Sequence, residues 1–319
     1  MSMKSKQLSN SFSTGGGGHH FEAHVQASFV VLMLTKGYAP ALPCWPIVEI
    51  KFQGKVDGFN TDDLIVYVEN KTSKERRKLL CQVKHSISFT KGNKLLEEVL
   101  HAAWQDYNEP SLFEKSKDKI ALVTGPLNKT DYHNVVWLLD RARHSKDVND
   151  FYRDVELAKA SPAKAKEKLN VLRHHLTAAN NGIALTDEDL YFFLKDFFLL
   201  GYDLGKEVGV VLSLLHSHIA QFHSKQPSWL WSRIVDTVET WNQDAGTLSY
   251  NNLPDELKEA FKVTEANIPE EFVVPERVPA ANLNSSKHAQ SLVAATLIGK
   301  WNEHNNADLH IIRRLADGF

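Results

Sequence analysis

The chain has 319 residues, 43% apolar and 24% charged, with 37 Lys or Arg against 39 Asp or Glu for a net charge of -2. A globular protein of two domains fits that length, at about 100–200 residues per domain, and the near-neutral total does not by itself announce a nucleic-acid partner. No window reaches the roughly 18 uninterrupted apolar residues of a membrane span; Val208 to Phe222, broken by Ser213, His216, Ser217 and His218, reads as a buried helix.

A polar, Ser-rich flexible arm, residues 1–14, has no secretory h-region. Gly15 to Gly18 then precede a helix with Phe21, Val25, Phe29, Leu32 and Met33 at helical spacing, ended by Gly37. Pro43 to Gln53 is predicted as a strand with Val48, Ile50 and Phe52 on one face and Glu49 and Lys51 on the other. Two more strands form a hairpin, Leu64 to Glu69 and Lys78 to Ser86, around the charged turn Asn70 to Arg77. Thr90 to Asn108 is a second amphipathic helix, Ile120 to Thr124 a buried strand stopped by Gly125-Pro126, and Asp131 to Arg143 a further helix. Cys44 and Cys81 fall in neighbouring predicted strands without CxxC spacing, which argues for a reducing cytoplasm rather than a disulfide framework or zinc site.

Residues 15–145 thus predict an α/β domain, a mixed sheet flanked by helices. Residues 146–263 read as an all-helical domain: Ala163 to Ala179, Asp187 to Leu200, Glu207 to Phe222 and Ser228 to Asn242. Residues 264–319 read as a linker, with Pro269, Pro275 and Pro279, and a last helix, Lys287 to Trp301.

The hairpin carries the chemistry. Asp62 and Asp63 open its first strand, and Gln82-Val83-Lys84 closes the second; alternation puts Gln82 and Lys84 on one face and Leu79, Cys81 and Val83 on the other. An acid, an amide oxygen and an ammonium converging at a sheet end suit a divalent metal and phosphodiester hydrolysis. Asp63 and Gln82 are the expected ligands, with Glu22 of the first helix supplying a further carboxylate; the ion is magnesium, with manganese as the alternative. Lys84 would position the attacking water or contact the phosphate, with Asp62 and Gln26 in reserve. Glu22 could equally be a surface acid that stabilises its helix.

Between Lys71 and Lys94 lie eight cations (Lys71, Lys74, Arg76, Arg77, Lys78, Lys84, Lys91, Lys94) and one acid, Glu75. That excess is expected to surround the site and grip a nucleic-acid backbone, although Lys74 to Lys78 could also be a solvated hairpin tip. His20 and His24 stand at i, i+4 without a third zinc ligand in view, and Trp104 and Tyr107 follow the apolar stripe as core residues.

Asp63 and Gln82-Val83-Lys84, in this order of elements, resemble the Gln-X-Lys variant of the PD-(D/E)XK nuclease superfamily, whose fold is restriction-endonuclease-like. Gly18-His19-His20-Phe21-Glu22-Ala23-His24-Val25 resembles the opening of Mrr-type restriction endonucleases. Together with Ala103 to Tyr107 and Leu122 to Pro126, the pattern is similar to the nuclease domain of antiphage STAND NTPases of the Avs type, related to the DNA endonuclease effectors of CBASS systems. The resemblance implies a magnesium-dependent double-stranded DNA endonuclease effector of low sequence specificity, activated by homo-oligomerisation. Asp63, Gln82, Lys84 and Glu22 inherit the catalytic roles. It further implies that NTPase and sensor regions would follow if this chain is a fragment. The alternatives are an Mrr-like endonuclease for modified DNA and a non-catalytic DNA-binding or oligomerisation module.

Overall fold

A computed structural model describes residues 17–157, 163–204, 209–223 and 226–262. All lie in the first of two compact units, Met1–Val263. The predicted arm 1–14, the linker and the helix Lys287 to Trp301 lie outside the described residues.

In chain order the elements are α1 (Gly17–Leu34), β1 (Ile47–Phe52), β2 (Leu64–Glu69), β3 (Arg76–Lys84), α2 (Lys94–Tyr107), β4 (Lys119–Thr124) and α3 (Lys129–His144). There follow α4 (Val148–Glu156), α5 (Ala163–Ala179), α6 (Asp187–Asp196), β5 (Phe197–Gly201), α7 (Val210–Ala220), α8 (Pro227–Gln243), β6 (Thr247–Ser249) and α9 (Asp255–Ala260). The strands make one six-stranded mixed sheet in the order β5-β4-β3-β2-β1-β6. β2 pairs antiparallel with β1 and β3, and β6 antiparallel with β1, whereas β3, β4 and β5 run parallel. The expected mixed sheet flanked by helices is therefore the fold.

Each face of the sheet is covered. Leu79, Cys81 and Val83 point into one core with α1, α7 and α8, while Leu80 joins Ile65, Ile120 and Leu122 in the other, beneath α2 to α6. This is the predicted alternation of β3, and burial on both faces explains why the strands read as apolar runs. On α1, Phe21, Ala23, Val25, Ala27, Phe29 and Val30 are all at most 1% exposed, so the helix is buried nearly all round. Fully burying a side chain such as Phe29 stabilises by roughly 1.5–3 kcal/mol, which fixes α1 firmly against the sheet.

The boundary expected near residue 145 does not separate a sheet from a bundle. Residues 146–262 are mostly helical, but they add β5 beside β4 and β6 beside β1. The predicted helix Asp187 to Leu200 stops at Asp196, whose carboxylate accepts from Ser116 N at 2.8 Å and Lys119 Nζ at 2.6 Å. The chain then extends through Phe197-Phe198-Leu199-Leu200 along β4. A short apolar run supports helix and strand alike, and here an anchored aspartate decides the break. Val208 to Phe222 also differs from expectation. Its described part, α7, buries Leu215 and Ile219 but leaves Val210 67% and Leu214 65% exposed. Among the described residues no helix is long and apolar enough to cross a membrane. Cys44 is exposed, Cys81 is buried, and both are free.

Candidate functional site

The β2–β3 register places Leu64 opposite Cys81, so Asp63, one residue earlier, meets Gln82. Its Oδ2 accepts from Gln82 Nε2 at 2.5 Å, from Val83 N at 2.6 Å and from Lys84 Nζ at 3.3 Å. With all three on Oδ2, Oδ1 has no protein partner among the described residues. The Asp63 and Lys84 side chains are 17% and 26% exposed, recessed but reachable.

Close packing at this end of the sheet sets the site's frame. Asp106 of α2, wholly buried, accepts from Asn60 N, from Asn60 Nδ2 and, at 2.6 Å, from Thr61 N, clamping the loop that delivers the carboxylate. On the far side of β3, β4 ends at Thr124, and at Gly125 just after it a Cβ would stand 2.5 Å from the His85 carbonyl oxygen; only glycine admits that approach. Asp106→Asn would leave a donor facing donors and is expected to cost about 1–3 kcal/mol, read as a lower urea midpoint. A midpoint equal to wild type would show that the loop holds itself.

α1 brings Glu22 and Gln26 to the same end of the sheet. Gln26 Nε2 donates to the Asp63 carbonyl at 2.8 Å and to Glu22 Oε1 at 3.0 Å. Asn242, 2% exposed on α8, donates Nδ2 to the same Glu22 oxygen at 3.3 Å. Burial first, and then the Asp63 charge, raise the Glu22 carboxyl above its ordinary 4.5, against the lowering effect of Asn242. The folded state therefore holds this proton to higher pH than the unfolded chain does, and stability falls as pH rises from 4.5 through the folded value. Glu22→Gln is accordingly expected to raise Tm by roughly 1–4 °C near neutral pH in EDTA and to flatten its fall with pH. Melts across pH test this, and parallel wild-type and variant profiles would refute it.

The donors fit a hard divalent cation. Glu22 and Asp63 are two acids close enough that the Asp63 charge helps burial to raise Glu22, and Gln26 Oε1 is a buried acceptor without a hydrogen-bond partner among the described residues. Because Gln82 Nε2 is spent on Asp63, its amide oxygen is the group left over for a ligand. Among the described residues no three His, Cys, Asp or Glu gather as a metal cluster, so a cation held here would need amide oxygens beside the two carboxylates.

Other expectations are redistributed. Asp62 turns away to a cleft of about 500 Å³ shared with Lys55, Lys94, Glu97 and His101. Burial first, and Asp63 second, raise its carboxyl. The basic excess does not surround the site. Lys71, Lys74, Arg76, Arg77 and Lys78 cluster around the tip of the hairpin, whereas Asp63 lies at its base, about 20 Å away along β2 at about 3.4 Å per residue. Several of them are already engaged: Lys74 and Arg76 with Glu69, Arg77 with Glu75, and Lys78 with Asp118. Lys91 and Lys94 lie beyond the base, before and at the start of α2. His24 packs against His20 with the rings tilted by 41° and meets Trp231 edge-on, and burial pushes its imidazole down to about 4, as for a packed neutral ring. Trp104 and Tyr107 are core residues. Asn242 and Asp106 were missed as contributors; nothing in the spacing marks Asn242, 220 residues from Glu22.

No protein-family model matches the chain, and no curated protein matches it either. Among solved structures it is similar to the Acinetobacter baumannii Cap4 SAVED/CARF-domain containing receptor with the cyclic trinucleotide 3'3'3'-cAAA. The TM-score is 0.43 and the identity 11%, over 86% of this chain and 56% of the receptor. A second structure of that receptor gives a TM-score of 0.41 and 12% identity, over 86% and 58%. The chain spans a little over half the length of these receptors. This corrects the expected kinship. Both solved structures are of a SAVED/CARF-domain containing receptor, one of them with a cyclic trinucleotide, and neither is of a STAND NTPase or an Mrr-type endonuclease. The reading as a double-stranded DNA endonuclease effector, with its two alternatives, is set aside with it.

Proposed function

We propose that the end of the sheet formed by Asp63, Gln82 and Lys84, with Glu22 from α1, is a divalent-cation-dependent phosphodiester hydrolase centre. The observation that carries the reading is the pairing of Lys84 Nζ with Asp63 Oδ2 at 3.3 Å, beside a second carboxylate, Glu22, whose proton affinity is raised by burial and then by Asp63. Asp63, Glu22 and the Gln26 and Gln82 amide oxygens would hold the cation. When bound, it would polarise the phosphate and acidify its water. Lys84 is held by Asp63 where its ammonium can orient a water or meet developing negative charge on a phosphate. Asn242 and Gln26 keep Glu22 directed to that place, and Asp106 keeps Asp63 there.

The test is hydrolysis of bis(p-nitrophenyl) phosphate, linear DNA and RNA oligonucleotides, and a cyclic trinucleotide such as the Acinetobacter receptor holds, each with magnesium, manganese or EDTA. Cation-dependent turnover of any of these supports the reading and names the substrate. Absence of turnover on all of them, with no calorimetric binding of manganese, overturns it.

A further inference from the structure

A second cavity lies at the other end of the hairpin, where α1 ends, β1 begins and β2 turns into β3. It has a volume of about 450 Å³, within the roughly 300–1,000 Å³ usual for small-molecule sites. Tyr38, Trp45 and Tyr250 line it with Lys36 and Lys71, and among the described residues no carboxylate does. Tyr38 and Tyr250 are 54% and 43% exposed, a large aromatic surface for side chains that usually bury theirs. The rim is built rather than loose: Tyr38 bridges to Pro46, Glu69 N donates to the Pro46 carbonyl at 3.2 Å, and the Asn70 side chain fixes the turn through Thr72 N and Ser73 N. Arg77 sits over Trp45, 5.0 Å from the ring centroid.

The charges here differ from those of the neighbouring hairpin tip. Lys74, Arg76 and Arg77 are neutralised by Glu69 and Glu75, whereas Lys36 and Lys71 take part in no ion pair or side-chain hydrogen bond among the described residues. An acid-free pocket that joins three aromatic rings to two unpaired ammonium groups is complementary to a flat ring carrying a phosphate. Rings supply stacking surface that tolerates any base, and lysines supply point charges for phosphate oxygens. We propose that this pocket binds a nucleoside monophosphate, its base against Tyr38, Trp45 and Tyr250 and its phosphate between Lys36 and Lys71. These residues are distinct from those of the proposed hydrolase centre, so either reading stands or fails without the other.

Cys44, which also lines the pocket, provides the probe. It is exposed, while Cys81 is wholly buried with its thiol pushed up by burial, so alkylation of the native chain reports Cys44 alone. The full-length chain is treated with iodoacetamide in the presence of AMP, adenosine or inorganic phosphate, and the modified cysteine is followed by mass spectrometry. AMP is expected to slow alkylation of Cys44 about tenfold at saturation, with adenosine and phosphate each needing about tenfold higher concentration. The exposed pair changed as Lys36→Gln with Lys71→Gln should weaken AMP about tenfold or more while leaving the thermal melt in place. Phosphate protecting as well as AMP would overturn the aromatic half of the proposal, and adenosine doing so would overturn the anionic half. No protection by AMP up to about 10 mM, or equal protection in the double variant, would overturn it entirely.

Discussion

Lys84→Ala is expected to lower the rate of cation-dependent phosphodiester hydrolysis by about 10²–10⁴-fold, the range for losing a positioned proton-transfer or charge-stabilising group. Lys84 Nζ meets Asp63 Oδ2, and among the described residues no other Lys or Arg forms an ion pair with Asp63. Because that pair is partly exposed, its removal should cost only about 0–1 kcal/mol of stability, so a rate loss would not be a folding loss. Steady-state kinetics should show kcat falling and KM changing little. Lys74→Ala is the matched control: its ammonium pairs with Glu69 at the far end of the hairpin, and activity should be unchanged. Equal rates for Lys84→Ala and wild type would remove Lys84 from the centre.

The largest expected loss of stability is at Lys168. This lysine and Asp131, 6% and 5% exposed at the side chain, pair at 2.6 Å, and Lys168 also donates to the Phe89 carbonyl at 2.8 Å. Phe89 N and Asn128 Nδ2 both donate to Asp131 Oδ2. The group ties the segment after β3, which begins at His85 beside Lys84, to α3 and α5. Lys168→Met strands the carboxylate and is expected to cost about 3–5 kcal/mol, roughly 6–20 °C in Tm. Burial alone would raise the Asp131 carboxyl; its hydrogen bonds to Lys168, Phe89 N and Asn128, with the Lys168 charge, outweigh burial and lower it. A depressed carboxyl stabilises above its unfolded value and loses that contribution as pH falls through the folded one. The gap between wild type and variant should therefore be widest near neutral pH and narrow in acid. Pairing Lys168→Met with Asp131→Leu should recover most of the loss. A single variant melting within about 1 °C of wild type would mean the pair carries no net stability.

The parts of the site that were legible in the sequence are those set by local geometry. Two-residue alternation places Gln82 and Lys84 on one face of β3, and hairpin pairing brings Asp63 to them, whatever the rest of the molecule does. The basic cluster shows the opposite case. Lys71 to Lys78 lie near Asp63 and Lys84 in number, yet a hairpin sends its turn one strand length from its base, so closeness in sequence is distance in space. Asn242 was invisible because its partnership with Glu22 depends on α8 crossing α1, a fact of tertiary packing. β5 was hidden for a related reason: Phe197 to Leu200 fit either conformation, and Lys119 and Ser116 decide it from 77 and 80 residues away.

The two edge strands impose an order on biosynthesis. β4 ends at Thr124 and β6 at Ser249, 125 residues later, which a ribosome adding about 5–20 residues per second takes roughly 6–25 s to make. Until β5 is made, at Gly201, the nascent chain has only the four strands β1 to β4, with the outer edges of β1 and β4 unpaired, and the edge of β1 stays open until β6 follows. Exposed edges of apolar strands invite pairing with other chains. The emerging protein is thus most vulnerable to misassembly before its last small strand arrives, and a chain shortened to its first 145 residues would keep that vulnerability for good.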